Sequence, residues 1–109
     1  MSVLSQNQTN VPDDKIISLI VVHTINSGDE EKVQAYLVKY GFINISPMGR
    51  ALQATGTVAQ IRDAFQTQLV YIDSINTIYK QNSPVDAREI KTMLVAVMGL
   101  NNSPTVRRF

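Results

Sequence analysis

The sequence predicts an α+β domain: a ferredoxin-like βαββαβ antiparallel sheet with two helices on one face, and a small hairpin plus short helix before the last strand. Three observations carry this prediction. A β-branched, nearly unbroken apolar run, KIISLIVVHTI, has the character of a central strand. Two segments with apolar residues at helical spacing each begin with a Ser or Thr placed three residues before a Glu or Gln. Between them, two short alternating runs surround a proline and a glycine, the usual form of a hairpin.

The first strand is expected over Lys15 to Ile25. Ser27 and Glu30 form a capping box, in which hydroxyl and carboxylate satisfy each other's orphan backbone amides, so a helix should start there. Val33, Leu37 and Tyr40 mark its apolar face with Tyr36 alongside, and Gly41 supplies the left-handed residue that ends it, giving a helix from about Asp29 to Tyr40. The runs FINIS and RALQAT, on either side of PMG, are the second and third strands. Thr57 and Gln60 form another capping box, and Val58, Ile61 and Phe65 share a face, which predicts a helix over Thr57 to Gln66. Leu69 to Ile72 and Thr77 to Lys80 flank the turn-prone Asp73-Ser74-Ile75-Asn76 and read as a smaller hairpin. Pro84 suits the first position of a helical turn running from Ser83 to about Lys91, and Met93 to Leu100 reads as a buried strand. Residues 1–14 are expected to be a flexible tail, 15–104 the folded domain, and 105–109 a second tail or the start of a linker.

Composition narrows the function classes. The chain has 109 residues, 44% hydrophobic and 17% charged, which suits one compact domain. Ten basic against nine acidic residues leave a net charge of +1, a weak field for nucleic acid or an anionic membrane, and neither is expected as a partner. No segment has the length and apolarity of a membrane span, and Met1 to Asn10 lacks the positive start and apolar middle of a signal peptide. With no cysteine there is no disulfide, thiolate metal site or cysteine nucleophile. The single histidine, His23, has no nucleophile or orienting acid near it in sequence, and reads as a strand histidine with a satisfied hydrogen bond. Asp29, Glu30 and Glu31 occupy a first helical turn, where acids stabilise the positive end of the helix dipole, and Asp13 and Asp14 read as a solvated turn. Gly41, Gly49 and Gly56 do not have the spacing of a phosphate loop. No catalytic residue, cofactor ligand or metal ligand is expected.

The first strand carries branched aliphatics on both faces: Ile17, Leu19, Val21, His23 and Ile25 on one, Ile16, Ser18, Ile20, Val22 and Thr24 on the other. Two helices cover one side of such a sheet, so the other side meets water or a partner. A contiguous apolar face left open marks an interface, with Ile20 and Val22 as its apolar anchors. The alternative is that both faces are covered, within the domain or by a homodimer. Arg107 and Arg108 make weak evidence for nucleic acid and suit a tail entering a protein groove.

Three stretches taken together resemble a known family: YGF with ISPMGR (Tyr40 to Arg50), GTVAQIRDAFQTQL (Gly56 to Leu69) and AVMGLNNSP (Ala96 to Pro104). The chain from Val11 to Phe109 is similar, in order, to the activation prodomain of the sedolisin and kumamolisin peptidases, serine-carboxyl endopeptidases made as precursors. The resemblance implies a ferredoxin-like fold and a non-catalytic domain that assists folding of the attached catalytic domain, inhibits it, and is released by cleavage in acid. It implies secretion of the precursor. The catalytic Glu, Asp and Ser of the family lie in the catalytic domain, so none is carried over to this chain. The partner implied is that catalytic domain, with Arg107, Arg108 and Phe109 as chain directed to its cleft. One departure stands out: the family has a longer segment with a further helix between the first strand and first long helix, where this chain has Asn26-Ser27-Gly28. A different class of reading is a free-standing ferredoxin-like regulatory or binding domain that dimerises through its sheet.

Overall fold

The computed structural model describes residues 9–102. In chain order they form β1 (Ile16–His23), α1 (Asp29–Lys39), β2 (Ile43–Met48), β3 (Ala51–Thr57), α2 (Val58–Phe65), β4 (Leu69–Asp73), β5 (Ile78–Gln81), a single 3-10 turn at Arg88–Ile90, and β6 (Leu94–Met98). The fold is α+β. A four-stranded antiparallel sheet has the order β2-β3-β1-β6, and β4 and β5 make a separate antiparallel pair.

Strand β1 shows why one side of the sheet becomes the core. Its side chains alternate, so Ile17, Leu19, Val21 and His23 are buried while their neighbours are not. Across the ladder Leu19 faces Ala54 and Val21 faces Leu52, which places four apolar side chains on one surface. Helix α1 lays Val33, Tyr36 and Leu37 on it, and α2 adds Val58, Ile61, Ala64 and Phe65, forming one hydrophobic cluster. Phe65 meets Phe42 edge-on at 5.9 Å between ring centres, and the Tyr36 hydroxyl donates to the Ala64 carbonyl, joining the two helices.

The helix ends divide the capping expectations. Helix α2 has its box: Gln60 N donates to Thr57 Oγ1 at 3.1 Å and Thr57 N donates to Gln60 Oε1 at 2.8 Å. Helix α1 does not. Its cap is Gly28, with no side-chain cap bond, so Ser27 lies outside the helix and the expected Ser27–Glu30 box is absent. The buried Asp29 carboxylate holds this loop instead, accepting from the Thr24 hydroxyl and from Asn26 N at 3.2 Å. At the other end of α1, Gly41 has φ 87°, and Gly41 N and Phe42 N donate to Val38 O and Leu37 O, a Schellman ending.

Other expectations need correction. β1 ends at His23 rather than Ile25, because the ladder to β6 shifts register after Val22 and Thr24 N bonds Met93 O. The first hairpin turns at Gly49-Arg50, with Pro47 and Met48 inside β2; β2 is an edge strand, where proline is tolerated. Pro84 starts no helix. The Ser83 carbonyl accepts from Thr67 Oγ1 and Gln81 Nε2, both at 2.7 Å, and Asp86 N donates to Phe65 O at 2.8 Å, which stretches the chain across the end of α2 until the single turn at Arg88. β6 is an edge strand with Val95 and Met98 exposed, and the deeply buried residue is Leu100 beyond it. Gly99 permits that entry: at φ 105°, an added Cβ would sit 2.6 Å from Ser18 O.

The flexible tail expected over residues 1–14 does not hold for its described part. Tyr71 N donates to Thr9 O, Val11 N donates to Leu69 O at 2.9 Å, and Val11 is wholly buried in the core. Further along, Ala59 N and Val58 N donate to Asp13 O and Lys15 O, so this strap supplies acceptors to the first amides of α2. Residues 1–8 and 103–109 lie outside the described residues, and with them the expected C-terminal tail over 105–109. Replacing Val11 with Ala should lower the unfolding free energy by about 2 kcal/mol, read as a lower urea midpoint at unchanged slope. An unchanged midpoint would mean that the strap is not bound.

Candidate functional site

The side of the sheet away from the helices is built from strand register alone. In an antiparallel ladder, residues directly opposite share a face. Met48 of β2 pairs with Ala51 of β3, Ala51 with Val22 of β1, and Val22 with Ala96 of β6. That is one apolar row crossing all four strands. The next row runs Ser46, Gln53, Ile20, Met98, and a third runs Ile43, Thr55, Ser18; Ile16 opposite Thr57 completes the face. None of these thirteen positions carries a charged side chain.

Ile16, Met98 and Met48 are 61%, 56% and 47% exposed, while Ile20 and Val22 lie half-buried between their neighbours. The two anchors named from the sequence therefore fall at the middle of this open face. Arg107, Arg108 and Phe109 lie outside the described residues. Sequence reasoning placed Ile16 on this face and missed Ile43, Met48 and Met98 as members of it. The signal for Met48 was hidden by Pro47, which reads as a turn residue, and the role of Met98 needs the pairing of the last strand with the first.

The closed side holds His23. Its Nδ1 lies 2.7 Å from the Thr24 carbonyl, which only accepts, so Nδ1 carries a hydrogen, and the buried Nε2 has no hydrogen-bond partner among the described residues. The hydrogen bond expected of a strand histidine is thus half met. Asp29, Glu30 and Glu31 do form the first turn of α1. Among the described residues no group of three His, Cys, Asp or Glu is placed to hold a metal ion, and no helix is long and apolar enough to cross a membrane. A cleft of about 320 Å³ lies between α1 and the 3-10 turn, lined by Tyr36, Tyr40, Gln66, Asp86, Arg88 and Glu89. Burial pushes the Tyr36 hydroxyl well above its ordinary value, in keeping with its role as a neutral donor to Ala64.

Charge pairs sit away from the open face. Arg62 grips Asp13 with two bonds, 2.9 and 3.3 Å, and Lys39 meets Glu89 at 2.8 Å. Asp13 and Asp14 do lie in an exposed turn, as expected, and Asp13 in addition tethers the N-terminal strap to α2. The hydrogen bond and charge of Arg62 hold the Asp13 carboxyl below its ordinary value of 3.8.

An α+β domain whose sheet is closed by helices on one side and open and uncharged on the other defines a class of domain built with a surface to spare. This chain belongs to the pro-kumamolisin activation domain family, whose model matches residues 21–102. No curated protein matches the chain. An activation prodomain is a non-catalytic domain, and membership implies association with the catalytic domain of a peptidase precursor.

The Asp13 tether sets a pH dependence. A depressed folded value means the contribution is complete above the unfolded value and lost as pH falls through the folded one. The urea midpoint should therefore hold above about pH 4 and drop as pH falls below it. Asp13→Asn should lower the midpoint at neutral pH and drop less on acidification. An identical acid slope in the variant would assign the pH dependence to other carboxylates.

Proposed function

We propose that this chain is the propeptide of a sedolisin-type serine peptidase precursor, acting as intramolecular chaperone and inhibitor of the catalytic domain. The observation that carries the reading is the uncharged, largely apolar face of the four-stranded sheet, with Ile20 and Val22 at its middle, in a chain of this family. A face without charges docks on another protein with little penalty for stripping water from ions. We read the order β2-β3-β1-β6, with β3 set between β1 and β2, as the ferredoxin-like split β-α-β arrangement, and the β4–β5 hairpin as an insertion before its last strand.

The physical logic of assistance is kinetic. A catalytic domain rich in non-local contacts reaches its folded state slowly, because the entropy of closing long loops is spent before those contacts form. A preformed sheet face binding the nearly folded catalytic domain lowers that barrier. Remaining docked, it holds the chain beyond Asn102, including Arg107, Arg108 and Phe109, at the active-site cleft and blocks substrate.

The same uncharged face also suits a homodimer, and sedimentation of the isolated domain separates the two readings: a concentration-independent dimer burying Val22 favours self-association. The direct test is titration of this domain into the mature sedolisin-type peptidase encoded with it, following peptide hydrolysis. Tight inhibition is expected. Ile20→Asp should weaken it about a hundredfold by placing a charge in a dry contact, and Met98→Asp, at an exposed edge position, should weaken it with the fold intact. Unimpaired inhibition by both folded variants would remove the open face from the interface.

A further inference from the structure

The β4–β5 hairpin ends in a turn made rigid by its own side chains. The Asp73 carboxylate accepts from Ile75 N at 3.1 Å, Asn76 N at 3.2 Å and Asn76 Nδ2 at 2.8 Å. Thr77 N donates to Ser74 O, and Thr77 Oγ1 to Asn76 O at 2.6 Å. Thr77 is held at φ 53°, a left-handed conformation that a β-branched residue adopts only when its surroundings impose it. At the outermost point of this fixed turn stands Ile75, 91% exposed, where Gly, Asn, Asp or Ser would be ordinary.

A lone exposed isoleucine is common and by itself carries no message. Its place decides otherwise. Asn102 is stapled to the same end of the hairpin: its Oδ1 accepts from Tyr79 N at 2.7 Å, its N donates to Tyr79 O at 3.2 Å, and its Nδ2 donates to Thr77 O at 3.0 Å. Asn102, the last described residue, is therefore held beside the Ile75 turn, and the tip lies next to the place from which the chain continues.

We propose that Ile75 is an anchor that inserts into an apolar pocket of the catalytic domain on the side of the fold where Asn102 is held, a second contact separate from the open sheet face. The proposal rests on the propeptide reading above. A side chain presented on a turn tied by its own hydrogen bonds loses less freedom on binding, so more of the area that it buries is returned as affinity. The open face supplies breadth of contact, and the tip supplies a point that only a matching pocket accepts. Specificity for one peptidase over another then resides in the tip.

The test compares the unaltered domain with Ile75→Ser and Ile75→Met as inhibitors of the mature sedolisin-type peptidase encoded with it, and cross-links a photoreactive benzoylphenylalanine at position 75 to that peptidase. Ile75→Ser should weaken inhibition about tenfold or more with an unchanged thermal midpoint, Ile75→Met should inhibit nearly as the unaltered domain does, and the cross-link should form. Equal inhibition by Ile75→Ser and the unaltered domain, with no cross-link, overturns the anchor while leaving the propeptide reading in place. No inhibition by the unaltered domain and no cross-link overturn both.

Discussion

The constraint on which the rest depends is that β1 is bonded along both edges and carries aliphatic side chains on both faces. β3 occupies one edge and β6 the other, so the strand nearest the start of the chain is completed by the strand nearest its end. Among the described residues two α-helices cover the sheet, of eleven and eight residues, and both lie on the side of Leu19 and Val21. Ile16, Ile20 and Val22 are left on the other side. The open face is thus a direct consequence of a strand written for two covers where the described residues supply one.

A two-stranded hairpin is marginal alone in water, which makes the supports of β4 and β5 informative. On its outer edge β4 receives the N-terminal strap, through the bridge of Asn10 to Val70 and the bond of Val11 N to Leu69 O. On its own outer edge β5 receives Asn102, which arrives from β6 by way of the buried Leu100. Both ends of the described chain therefore close on the same small sheet. The strap goes further, since the carbonyls of Asp13 and Lys15 take amides of α2 that lack helical partners, and Arg62 of that helix returns the contact through the Asp13 carboxylate. One continuous segment binds the small sheet, α2 and β1 into a single packed unit.

The parts legible in the sequence were those with a local cause. The capping box of Thr57 and Gln60, the Gly41 ending and the alternation of β1 each need only residues a few positions apart, and each is present as read. The parts not legible depend on distant partners. Ser27 had the residue types of a box, but Asp29 turns back to Thr24 and Asn26 and the helix is capped one position later. Pro84 had the signature of a helix start, but Thr67 and Phe65 claim the backbone of residues 83 and 86. Val11 had no pattern around it that marked a core residue, because its burial is created by α2 and β4 arriving from elsewhere. The open face was half legible for the same reason: alternation identifies Ile20 and Val22, while Met48 and Met98 join them only through register.

The distribution of charge separates two parts of the surface by their response to acid. No position in the paired rows of the open face titrates, so any acid sensitivity of docking there has to originate on the partner. The carboxylates held below their ordinary values stand elsewhere: Asp13 through Arg62, and Asp73 through the side chain and backbone of Asn76 and the backbone of Ile75. Asp13 fastens the strap that edges β4, and Asp73 shapes the turn that presents Ile75. Both contributions are complete above pH about 4 and fade as pH falls through the depressed folded values. Acid therefore weakens the two carboxylate contacts that support the small hairpin, while the side chains of the apolar face have nothing to titrate.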